Sequence, residues 1–159
     1  MITNKINLVI NFLAFYLQPF TFNLIMATSK ITYLGDLRTE SVHLQSGEKI
    51  ITDAPVDNKG RGEAFSPTDL LATSLGNCMI TIMGIAARER EIDIEGTTCS
   101  ITKVMAADPR RVSEIHAELI FPKNYTDKEK AILENAAKTC PVFYSLHPDI
   151  VKNISFAYP

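Results

Sequence analysis

Cysteine is scarce in this chain, and the few that occur are widely spaced. Only three are present, at positions 78, 99 and 140. There is no CxxC and no Cys/His cluster with zinc-finger spacing, which removes the common structural metal motifs. An odd number of scattered cysteines is also unlike a secreted disulfide framework. It fits a reducing compartment, where any disulfide is transient and catalytic, so a cytoplasmic location is expected. No basic run offers a phosphate footprint, and the formal net charge is −2, so nucleic acid is not an expected partner. P-loop and GxGxxG motifs are missing, and no Ser-His-Asp arrangement is visible. His43, His116 and His147 stand apart from one another and read as surface or satisfied polar residues, with no metal site expected.

The chain has 159 residues, a length that suits one domain. Its hydrophobic content of 46% is sufficient for a real core. The first 25 residues are the exception to an otherwise ordinary composition. MITNKINLVINFLAFYLQPFTFNLI is apolar and carries a single lysine, Lys5. Three readings compete: a signal peptide, a membrane anchor, or upstream sequence read from too early a start. The anchor is interrupted by Asn11, Gln18, Pro19 and Asn23, whereas a span needs about 20 predominantly apolar residues. The early start is preferred, because Met26 leads directly into domain-like sequence. The domain is therefore expected over 26–159, with no stable membrane association.

Within that domain, Lys30–Leu34, Thr39–Gln45 and Lys49–Thr52 read as three strands of a meander, separated by Gly35-Asp36 and Ser46-Gly47. The polar segment 53–63 reads as an exposed loop. Ser66-Pro67-Thr68-Asp69 then provides a hydroxyl cap, a proline at the first helical position and a carboxylate at the third. The helix it opens should run to about Glu91, and it is uncharged from Leu70 to Ala87. A helix apolar all round is a core helix or a membrane span, and Gly76, Asn77, Thr81 and Gly84 favour close packing in a core.

Thr97–Met105 has β character, and Asp108-Pro109 marks a turn. Val112–Phe121 alternates, with Ile115, Ala117, Leu119 and Phe121 on one face. Thr126-Asp127-Lys128-Glu129 is a second capping box, followed by a stripe of Ala131, Ile132, Ala136 and Cys140. Pro141 should break that helix, a short helical turn should resume through Leu146, and Ile150–Tyr158 should form a last strand. The order is βββ-α-ββ-α-β. Runs of strands with two separated helices define an α+β class rather than βαβ winding.

Taken alone, Cys78 lies about three turns into its helix, beyond the reach of the helix dipole, and reads as an inert buried thiol. Cys140 precedes Pro141 and suits the N-cap of the resumed helix, where free N–H groups favour a thiolate. The two are 61 residues apart in sequence, and only packing of the two helices would bring them together. Cys99, among Thr and Ser in a strand, reads as a structural thiol.

Two stretches change this picture. SPTDLLATSLGNCMITIMGIAA resembles the first helix motif of the OsmC/Ohr superfamily, and KTCPVFYSL resembles its second, a Cys-Pro-Val step that closes the second helix. The resemblance covers Lys30 to Tyr158. It implies an OsmC-like fold: an intertwined homodimer with antiparallel sheets wrapped around two long central helices, and active sites at the dimer interface. It further implies a cysteine-based peroxidase of oxidative stress defence. Cys78 is the attacking thiol, and Cys140 resolves its sulfenic acid. The substrate is a small apolar organic hydroperoxide, held beside Leu75, Met79 and Ile82. No resident cofactor is required; an external lipoyl-linked or thioredoxin-like dithiol protein restores the thiols.

One departure is plain. Peroxidase members of the superfamily carry a glutamate directly after the helix-capping proline, where it orients an arginine onto the thiolate. Here that position is Thr68, and the carboxylate, Asp69, is one step on, turned by about 100°. Arg61 is the first candidate for the arginine, with Arg38 second and Glu63 as the orienting carboxylate. This pattern is more similar to the OsmC-like branch. A small-ligand-binding or redox-sensing protein without efficient turnover is the alternative function.

Overall fold

The computed structural model describes residues 26–159; the expectation for residues 1–25 lies outside them. The chain begins with an antiparallel meander: β1 (Ser29–Gly35), β2 (Arg38–His43) and β3 (Lys49–Asp53). A short 3-10 turn at Val56–Asn58 interrupts the polar loop. Helix α1 (Pro67–Arg88) follows, then β4 (Thr98–Ala107), β5 (Arg110–Ile120), α2 (Asp127–Lys138), α3 (Pro141–Ser145) and β6 (Val151–Ala157).

Both expected capping boxes form. At α1, Ser66 Oγ accepts from the Asp69 amide at 3.1 Å, and Asp69 Oδ2 accepts from the Ser66 amide at 2.8 Å. At α2, Thr126 and Glu129 make the same reciprocal pair. Each box satisfies two N–H groups that a helix start leaves unpaired. Pro141 ends α2 as expected, because a proline has no N–H to continue the ladder.

The second sheet departs from the expected all-antiparallel arrangement. β4 and β5 are antiparallel, but β5 and β6 are parallel. The reason is the connection: α2 and α3 return the chain to the same end of the sheet, the crossover that a parallel pair requires. The molecule thus contains one βαβ unit that strand counting did not reveal.

The core lies between this second sheet and the helices. From β5, Val112, Ile115, Ala117 and Leu119 are buried, as is Phe121 just after it; from Ile115 onward they follow the period-two pattern. From α1 the buried set is Ala72, Leu75, Gly76, Met79, Met83 and Ala87. Those spacings of three and four trace one face of a helix. Although α1 is long and apolar enough to cross a membrane by length and composition, this face is committed to the protein's own core. α2 contributes Leu133, Ala136 and Ala137, with Cys140 buried beyond its end. The predicted stripe is therefore shifted: Ala131 is exposed and Ile132 only half-buried, because the face toward α1 is set by Leu133 and Ala137.

Gly76 explains how closely α1 approaches β4. A Cβ at that position would lie 2.9 Å from Ile101 Cδ1 and 3.2 Å from Cys99 Sγ. The expectation of tight packing around the small residues of α1 holds for Gly76 but not for Gly84, where a Cβ would meet nothing within 4 Å. Replacing Gly76 with valine should destabilise the fold by about 1–3 kcal/mol through overpacking, whereas Gly84→Ala should be neutral or stabilising for the isolated protomer. Urea unfolding midpoints of the two variants check this.

Candidate functional site

Cys78 sits midway along α1, half-buried at the border between its core face and its outer face. Cys140 is fully buried and caps α3, its Sγ accepting from the Phe143 amide at 3.4 Å. Packing of α1 against α2 and α3 brings these two thiols close enough for Cys78 to influence the titration of Cys140. Both are free rather than bonded to each other.

The pair is chemically asymmetric. Burial is the main influence on Cys140 and pushes its thiol above the ordinary value. The Phe143 amide opposes this, and the neighbouring Cys78 thiol reinforces it. The expected benefit of the α3 N–H groups is therefore present but outweighed: transfer of a thiolate from water disfavours charge more than one weak N–H···S bond restores it. Cys140 is a protonated thiol at neutral pH, set behind a more accessible neighbour. Cys99 is half-buried against α1 near Gly76, and burial alone raises its pKa, consistent with a structural thiol.

The other sequence candidates fall elsewhere. Arg61 donates to Asp36 at 2.6 Å on the exposed surface, so the preferred arginine is committed to another partner. The second choice, Arg38, is the one that Glu63 contacts, at 2.8 Å. It also makes a two-point bond to Asp53, a residue that sequence reading missed because it looked like the first residue of a loop. Nε to Oδ1 is 2.6 Å and Nη2 to Oδ2 is 2.7 Å. The Arg38 guanidinium holds Asp53 below the usual carboxylate range, and both carboxylates hold Arg38 charged.

Asp69 faces neither thiol nor arginine. It closes the capping box and pairs with Lys103 at 2.6 Å. Burial works against its charge, but bonds from Lys103 and Ser66 outweigh this and keep its pKa low. Lys103 also donates to Thr68 Oγ1 at 2.7 Å, so the start of α1 has no carboxylate aimed at an arginine.

Two of the three expected substrate contacts are also corrected. Leu75 and Met79 are wholly buried in the protomer's core and have no exposed surface to offer. Only Ile82 is partly accessible. The apolar residues that share the outer line of α1 with Cys78 are Leu71 and Ile85, 42% and 47% exposed. They lie seven residues to either side of it, nearly the same angle on a helix. That spacing was legible in the sequence.

The three histidines are exposed. His43 bonds Ser46, His116 bonds Glu114, and His147 faces Asp149. A cavity of about 390 Å³ lies between the first sheet and the start of α1, lined among others by Tyr33, Leu37, Thr52, Pro67 and Met105.

These features define a class: an α+β protein with a reduced two-cysteine centre, one thiol on a long core helix and the other capping a short helix behind it. The comparisons with known proteins supply the particular assignment. The family model described as OsmC-like protein matches residues 60–155, which spans both cysteines, and the chain belongs to that family.

It is similar to the structure of a candidate osmotic stress induced and detoxification response protein from Psychrobacter arcticus 273-4, with 63% identity, 82% of this chain and 96% of that one covered, and a TM-score of 0.80. The fold is shared with an organic hydroperoxide resistance protein OsmC from Legionella pneumophila at 16% identity, covering 83% and 98%, with a TM-score of 0.66. It is also shared with an organic hydroperoxide resistance protein from Elizabethkingia anophelis at 16% identity, covering 84% and 98%, with a TM-score of 0.63. No curated protein matches the chain.

The asymmetry of the thiols has a measurable result. At pH 7, iodoacetamide should modify Cys78 well before Cys140, as peptide mass mapping will show. The raised folded-state pKa of Cys140 means that its contribution to stability is complete below its unfolded value, about 8.5. That contribution is lost as pH rises through the folded value. Unfolding midpoints should thus fall on the alkaline side in wild type and less steeply in Cys140→Ala.

Proposed function

We propose that this protein is a cysteine-based peroxidase that reduces organic hydroperoxides in oxidative stress defence. The observation that supports the reading is the closeness of half-buried Cys78 to buried Cys140. The Cys78 thiolate attacks one peroxide oxygen. The O–O bond breaks, an S–O bond forms, and the alkoxide leaves and takes up a proton. Sulfur is thereby oxidised by two electrons to a sulfenic acid. The Cys140 thiol then displaces water from that sulfur to form the Cys78–Cys140 disulfide. An external dithiol protein, lipoyl-linked or thioredoxin-like, reduces it by exchange. Burial of Cys140 suits a resolving role, since it need only attack its immediate neighbour. Leu71, Ile82 and Ile85 provide the apolar surface for an alkyl tail, and the expected location is cytoplasmic.

Activation of Cys78 is assigned to Arg38 of a second copy. Within one protomer Arg38 is held beside the segment leading into α1, while Cys78 lies about 18 Å along the helix from Ser66, at 1.5 Å per residue. Features of the protomer support a homodimer. The first sheet makes no extended contact with the helices or the second sheet, yet it exposes Ile31 and Tyr33 at 65% and 63%. The outer face of α1 presents Leu71, Ile85 and bare backbone at Gly84. Apolar faces of this extent usually mark an interface. The second reading, a ligand-holding protein, is favoured only by the cavity at the start of α1.

One equivalent of tert-butyl hydroperoxide added to the reduced protein should remove two free thiols and give a Cys78–Cys140 disulfide by intact mass and peptide mapping. Cys78→Ser should abolish consumption. Cys140→Ser should complete one turnover and then accumulate sulfenic or sulfinic acid on Cys78. Unchanged thiols in wild type, with reductant-free protein and minutes of exposure, would transfer the assignment to ligand holding.

A further inference from the structure

Arg38 and Asp53 stand directly opposite each other across β2 and β3, so the ladder places both side chains on the same face of the first sheet. Their bond is bidentate, the geometry that fixes a guanidinium in orientation as well as position. Asp53 is itself immobilised. It is 1% exposed, its amide bonds the Phe65 carbonyl at 3.2 Å, and Oδ2 accepts a second bond from the Glu63 amide at 3.1 Å. Glu63 is different: its side chain is 62% exposed and touches Arg38 at a single point. The bonds to Asp53 and Glu63 use Nε and Nη2 only. Both N–H groups of Nη1 lack a partner among the described residues. Arg38 is therefore clamped along one edge by a buried anion, while Nη1 is left uncommitted on a side chain that is 26% exposed.

We propose that Asp53 is the positioning residue of the peroxidase site, aiming the open edge of Arg38 at the Cys78 sulfur and peroxide of a second copy. This rests on the function proposed above and adds the group that orients its arginine. The alternatives at the start of α1 are already engaged, Thr68 and Asp69 by Lys103. Glu63 exchanges readily with water, as a one-point surface pair does, and is auxiliary. The carboxylate that orients the arginine has thus moved from the helix to the sheet, where β2–β3 register sets its placement.

The test uses the full-length protein and the pH dependence of Cys78 alkylation by iodoacetamide, mapped by peptide mass, alongside kcat/KM for tert-butyl hydroperoxide. An opposite charge at contact lowers a pKa by about 1–3 units. Arg38→Ala and Asp53→Asn should therefore each raise the Cys78 midpoint by about one unit or more and lower kcat/KM about tenfold. Glu63→Gln should move the midpoint little, and Asp53→Glu should restore part of the loss. Diamide should still form the Cys78–Cys140 disulfide in Asp53→Asn, showing an intact thiol pair. A shift in Arg38→Ala but none in Asp53→Asn overturns the role of Asp53 and leaves the peroxidase reading standing. No shift in either removes the arginine, and Asp53 with it.

Should Asp53→Asn not fold, Arg38→Lys decides, since it keeps the charge but cannot bind two oxygens at once. Lysine behaving as wild type overturns the proposal; lysine behaving as alanine supports it. Failure of the peroxidase reading is seen separately, as absence of disulfide after hydroperoxide in wild type. The alkylation profiles then still decide whether Asp53 acts on Cys78 through Arg38.

Discussion

The packing of α1 against the second sheet and α2 is the constraint from which the rest of the structure follows. Its core face is built from Ala72, Leu75, Met79, Met83 and Ala87, and Gly76 lets β4 approach to near backbone contact. With that face buried, the helix can rotate very little. The position of Cys78 at its border is thereby determined, as is the position of the Leu71–Ile85 line on the side left open. The same packing sets α2 and α3 so that Cys140 closes on Cys78 from within.

The chemistry of the pair derives from the difference in environment across that border. A buried thiol with one amide donor keeps its proton, because the lost hydration of the charged form outweighs a single N–H···S contact. A neighbouring thiol nearer solvent is free to meet a substrate. Two cysteines of identical intrinsic chemistry thus stand in different environments through exposure alone. Among the described residues, the arginine held by a buried carboxylate is Arg38, near the segment that leads into α1 and on a sheet that exposes Ile31 and Tyr33. In the function proposed above, such a site would be completed by a second copy, which would link assembly to activity.

Much of this was legible in the residues. Both helix starts were marked by capping boxes, the break at Pro141 by the missing N–H, and the buried face of β5 by alternation. The two cysteine motifs identified the superfamily. What failed to appear has physical reasons too. The parallel β5–β6 pair depends on where a crossover deposits the chain, not on strand composition. Arg61 looked better than Arg38 by proximity in sequence, but cross-strand register, which carries no local signature at Arg38 or Asp53, chose the partner. Leu75 and Met79 lie close to Cys78 in sequence, which suggests them as its apolar surroundings. The helical phase turns them inward, and Leu71 and Ile85 share the outer line instead.

By itself the sequence determined the secondary elements, their caps and the identity of the two thiols, because these depend on local hydrogen bonding and short-range periodicity. Tertiary structure alone decided which thiol is buried, which arginine is clamped by which carboxylate, and which apolar residues remain on the surface. Each of those depends on desolvation and on contacts between segments far apart in the chain, and neither quantity exists until the chain has folded.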